Sequence, residues 1–116
     1  MKRLVLILLA VVAVAFTSCQ KETACQVVNK SGANITEVTI WQFNSNGDLI
    51  GSENIGNLTD GSKSQIVTTL DAATSVKISF RNGSDMKYTG HNDLIDGRKN
   101  VVEITSTTPT TGNLYD

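Results

Sequence analysis

Between Cys25 and Thr105 no stretch of the chain sustains the 3.6-residue apolar spacing of a helix, and clusters of Gly, Asn, Asp and Ser interrupt it every few residues. The runs between those clusters alternate apolar with polar residues or are rich in β-branched and aromatic side chains, which is the pattern of short strands with two distinct faces. Seven strands are expected, at 25–30, 34–43, 49–54, 63–70, 75–81, 86–90 and 100–105. The clearest hairpin signal is Asn44-Ser45-Asn46-Gly47-Asp48, whose Asn-Gly pair accepts the positive φ angles of a tight turn. Run 75–81 alternates most cleanly, with Val76, Ile78 and Phe80 expected inward and Lys77, Ser79 and Arg81 on a wet face.

Strands this short bury their apolar faces only against a second sheet. The expected fold class is therefore all-β: one small antiparallel Greek-key sandwich of about seven strands, immunoglobulin-like or transthyretin-like, with a small barrel as the alternative. The paired cysteines and core tryptophan of true immunoglobulin domains are absent. Val38, Ile40, Ile66, Val76, Ile78, Phe80, Val102 and Ile104 are the expected core, each on the apolar face of its run. Segment 106–116 is rich in Thr and Gly and contains Pro109, so it is expected to be a flexible tail.

Ahead of this domain stand Lys2 and Arg3, an unbroken apolar run at 4–16, and Phe16-Thr17-Ser18-Cys19. The run is shorter than the roughly 20 residues that cross a bilayer, and it fits the apolar region of a secretory signal. Its end resembles the lipobox of bacterial lipoproteins. That resemblance implies that Ser18 is the last residue removed and that Cys19 becomes a diacylated N-terminus. Phe16 departs from the aliphatic residue usual at its position, and Ala13-Val14-Ala15 offers a rival cut after Ala15 that would release a soluble protein. The resulting organisation is 1–18 signal peptide, 19–24 lipidated cysteine and short tether, 25–105 sandwich and 106–116 tail. Gln20 directly after the cysteine, in place of a retention aspartate, implies the outer membrane by resemblance. Lys21-Glu22 partly resembles a surface-export signal, which leaves the leaflet open. As a whole the chain resembles the small lipoproteins of Bacteroidota with compact β-sandwich domains and no assigned activity, a likeness that carries over no functional residues.

From Gln20 onward eight basic residues face eleven acidic ones, a net charge of −3 with no basic stripe, so nucleic acid is not an expected partner. Cys25 reads as a small buried hydrophobe, or as a disulfide partner of Cys19 if that residue escapes lipidation. His91, Asp93 and Asp96 share one loop but read as solvated turn residues. Gln42, Asn44, Asn46, Gly47, Asp48 and Glu53 follow calcium-loop spacing, but Gln42 stands where an aspartate is needed and the flanks read as strands. The histidine has no G-x-S-x-G serine to serve. No catalytic, metal or cofactor site and no enzyme activity are therefore expected. Alternation places Trp41 and Phe43 opposite Val38 and Ile40, as a candidate contact surface for a protein or a glycan. The expected function is a non-catalytic binding or interaction module held to the membrane by lipid; the alternative is a structural subunit of a larger envelope or fimbria-like assembly.

Overall fold

The computed structural model describes residues 22–115; the signal segment, Cys19 and Asp116 lie outside the described residues. Nine strands form, β1 (Ala24–Lys30), β2 (Ile35–Phe43), β3 (Leu49–Leu58), β4 (Val67–Thr68), β5 (Ser75–Asn82), β6 (Asp85–Thr89), β7 (Asn92–Asp93), β8 (Lys99–Thr105) and β9 (Thr110–Thr111), with no helix among the described residues. Seven of them correspond to the expected runs, and the two-residue strands β7 and β9 are additions. The predicted hairpin joins β2 to β3. There Gly47 takes φ 83°, and Asn44 Oδ1 accepts from the amides of Asn46 and Asp48 at 3.0 and 2.9 Å.

The strands make two packed sheets, as the alternation requires. The smaller has the order β4-β1-β8; the larger runs β3-β2-β5-β6-β9, with β7 also pairing β5. Most pairs are antiparallel, but β1 and β8 run parallel in unbroken register from Ala24 beside Lys99 to Lys30 beside Thr105. An immunoglobulin arrangement keeps its first two strands in one sheet and sends the third to the other. Here β1 lies in the smaller sheet while β2 and β3 pair in the larger, an order that departs from the immunoglobulin one.

Between the sheets lie Cys25, Val27, Ile35, Val38, Ile40, Leu58, Val67, Val76, Ile78, Phe80, Val102 and Ile104. Seven of the eight expected core residues are among them. Ile66 is the exception, 56% exposed, and Val67 is buried in its place. The cause is register. Cys25 pairs with Val67, so the two side chains point to the same side of the sheet, and a one-residue slip in the expected phase turns Ile66 to solvent. The expected strand at 63–70 also shrinks to Val67–Thr68. Ahead of it the chain is held partly by a side chain, since the Val27 amide donates to Ser64 Oγ at 2.9 Å.

Two further expectations meet a different arrangement. The wet face of β5 is closed over two of its three residues: Lys77 and Ser79 point away from the core yet are buried, because β5 is flanked by β2, β6 and β7 and the Leu114 carbonyl meets Lys77, while the Arg81 side chain stays partly exposed as expected. The segment expected to form a tail supplies β9, which pairs Thr110 and Thr111 with Thr89 and Tyr88. Near the start of β2, Glu37 adopts φ 52° where the register with β3 and β5 shifts. Its carboxylate pairs with the Arg81 guanidinium across the bulge.

Candidate contact surface

The outer face of the larger sheet carries the sequence-predicted rings, and strand pairing explains their neighbours. In register, Trp41 stands beside Lys77 and Phe43 beside Ser75, all on the side away from the core. Trp41 is half-buried, and its indole N–H donates to Ser79 Oγ at 2.8 Å, which pins the ring along the sheet. One flank of the indole is thus satisfied within the fold, and the remainder faces outward.

Phe43 differs. It keeps its place on the outer face but is fully buried, so it does not present its ring to a partner as the sequence pattern suggested. His91 covers it edge-on, with ring centroids 4.8 Å apart and planes at 77°, a favoured aromatic geometry. The imidazole is held there by a 3.0 Å contact between its Nδ1 and Ser75 Oγ. The Lys77 ammonium lies 6.0 Å from the Phe43 centroid and donates to the Leu114 carbonyl at 2.6 Å. A buried lysine is rare unless its charge is met by such groups. The platform is therefore Trp41 at the rim of a buried cluster of Phe43, Lys77, Ser75 and Ser79, with the exposed His91 lying over Phe43 and the Leu114 carbonyl meeting Lys77.

The other sequence candidates do not converge. Ser75 and His91 make the first contact of a nucleophile–base relay, but Ser75 is buried, and among the described residues no carboxylate bonds the far nitrogen of His91. Asp93 lies in β7 in register with Ser75, and Asp96 lines a groove with Glu22, Thr23 and Asp71 at the pole where the chain enters the fold. No three potential metal-ligating side chains gather among the described residues. Two oxygens of the calcium-like spacing are already used: Asn44 Oδ1 closes the hairpin, and Gln42 Oε1 accepts from the Leu70 amide at 2.7 Å.

Cys25 is the buried hydrophobe its sequence context suggested, fully enclosed in the core as a free thiol. Loss of solvent pushes its pKa up to about 11, so the reactive thiolate is scarce near neutrality. In a chain carrying Cys19→Ala, a thiol reagent at pH 8 is expected to label Cys25 only at the rate of unfolding, and denaturant should speed labelling by orders of magnitude. Prompt labelling of the folded domain would place the thiol outside the core.

Residues that sequence reasoning missed are Lys77, Ser79, Ser75 and Leu114. The one local signal was an apolar Leu114-Tyr115 pair inside a polar tail. Comparison with protein-family models, with curated proteins and with solved structures returned no match.

Proposed function

We propose that this chain is a lipoprotein of the bacterial envelope, anchored through Cys19 and most consistent with the outer membrane by virtue of Gln20, whose sandwich is a non-catalytic module contacting a protein or glycan partner through Trp41. The observation that carries the reading is how soon the fold begins after the anchor. Thr23 is already clamped on both sides, its carbonyl accepting from the Thr69 amide at 3.0 Å and its hydroxyl from the Gly97 amide at 2.9 Å. Only Gln20, Lys21 and Glu22 remain as tether, with a reach of at most about 11 Å. A domain on so short a leash works at the bilayer surface. A subunit role in a larger envelope or fimbria-like assembly is the alternative, favoured by the open edge of β8.

One experiment on intact cells tests both halves. Cys19→Ala should shift the protein from the membrane to the soluble fraction, because diacyl anchoring contributes about 0.8 kcal/mol per buried methylene and has no substitute in a mature chain of net charge −3. Unchanged partition would sink the anchor. Trp41→Ala in the anchored protein should keep a cooperative melt and weaken cross-linking to the partner by about 1 kcal/mol or more. A domain that unfolds instead would assign the indole to structure rather than to contact.

A further inference from the structure

The sheets end in unequal edges. β4 and β9 are two residues long and offer little to pair with, and β3 is interrupted by register shifts against β2, with Gly56 at φ 81° beside one of them. Such bulges are a known protection of exposed edges. β8 differs: seven residues in unbroken register with β1 on one side, and no strand on the other among the described residues. Its flank is also open between the sheets. A groove of about 370 Å³ runs along it, lined by Val76, Leu94, Ile95, Val101 and Val102 among others, and Ile95 and Val101 are 58% and 47% exposed.

The side chains on the outer face of β8 are Lys99, Val101 and Glu103, all exposed. They form a pattern that is its own complement. In an antiparallel pairing of two β8 strands centred on Val101, Val101 meets Val101 of the second copy, and Lys99 meets Glu103 twice, once on each side of the two-fold axis. Shifting the centre by one position in either direction, the smallest slip that keeps inward residues opposite inward ones, sets Lys99 against Val101 or Thr105 and leaves the charges unpaired. Glu103 Oε1 already receives Lys30 at 2.8 Å within one chain, and a carboxylate has a second oxygen to offer.

We propose that β8 is the seam of a two-fold homodimer, in which the smaller sheets of two copies join edge to edge into one six-stranded sheet ordered β4-β1-β8-β8-β1-β4. The occupant of the open edge is thus a second copy of this chain, selected by the Lys99–Glu103 complementarity. Because β1 runs parallel to β8, the two chains enter the joined sheet from opposite ends. Under the anchored reading above, both lipids reach one bilayer only when the strands lie along its surface.

The test uses the mature chain carrying Cys19→Ala, in sedimentation experiments over a wide concentration range, so that its outcome is independent of the anchor. The unsubstituted seam should show a reversible monomer–dimer equilibrium. Lys99→Glu and Glu103→Lys, each alone, place like charges opposite one another at two symmetric positions and should weaken self-association about tenfold or more. An equimolar mixture of the two variants puts opposite charges back at both positions and should restore association, as a heterodimer. Loss of the Lys30–Glu103 pair alone could not produce that rescue. Val101→Cys should also form a disulfide between copies on mild oxidation, since directly opposed Cα atoms lie roughly 4.5–5.5 Å apart. A chain that stays monomeric at the highest concentration, variants that associate like the parent, or a mixture that stays monomeric would each overturn the proposal.

Discussion

Replacement of Phe80 by alanine is expected to cost the domain roughly 3 to 5 kcal/mol, most of what holds so small a fold together. Phe80 is 4% exposed and stands on β5 among the residues packed between the sheets. Removing the ring loses its transfer free energy and leaves a cavity between two sheets whose backbones are fixed by their own ladders. One local feature moderates the loss. Phe80 borders a groove of about 230 Å³ shared with Ile104, Thr105 and Lys87, so part of the vacated space opens to water or to the flexible lysine. The value should therefore fall nearer the lower end, and Phe80→Leu should cost well under half as much, because most of the volume is retained. Urea unfolding of the two variants checks both numbers. An unshifted midpoint for Phe80→Ala would remove this strand face from the core.

Asn29→Ala is expected to be nearly as damaging, about 3 kcal/mol, for a different physical reason. Asn29 is fully buried on β1, and its amide group makes four hydrogen bonds. Its Nδ2 donates to the carbonyls of Ala33 and Leu58 at 2.8 and 3.0 Å, and its Oδ1 accepts from the Ser31 amide and hydroxyl at 3.0 and 2.7 Å. The side chain thereby joins the end of β1 to the turn that follows it and to the last residue of β3, in the opposite sheet. A typical net contribution of about 1 kcal/mol per bond is compounded by the cost of leaving a buried carbonyl at Leu58 without its partner. Asn29→Asp should do no better at neutral pH, since a carboxylate keeps the acceptor but turns a second negative oxygen toward two carbonyls. Thermal melts of both variants against wild type measure the effect, and a shift of less than about 2 °C would show that water replaces the amide without loss.

The strand runs, the hairpin and most of the core were legible because each is written in local alternation or turn chemistry. Val76, Ile78 and Phe80 alternate with polar residues and pack inward as expected. Ile66 was misplaced because its run carries two interleaved sets of apolar residues, and only pairing with Cys25 decides which set turns in. The same limit applies to the contact surface. Alternation put Trp41 and Phe43 on the outer face correctly, but what covers Phe43 is His91, 48 positions away, and what meets Lys77 includes Leu114, 37 positions on. Those contacts are products of topology, and no window of neighbouring residues encodes them. Lys77 in particular read as a solvent-facing residue of a half-exposed strand until the closing segment was laid over it.

The parallel pairing of β1 with β8 also sets a clock. Lys30 finds its partner in Thr105, about 75 positions later, so the first strand made is completed by nearly the last. At a synthesis rate of roughly 5–20 residues per second, β1 waits on the order of 4 to 15 s before the strand that completes its sheet exists at all. Until then one of its sides has no lasting neighbour, and the smaller sheet cannot close around Cys25 and Val27. A nascent chain with this topology is therefore kept by its own strand order from closing the smaller sheet until synthesis is nearly complete.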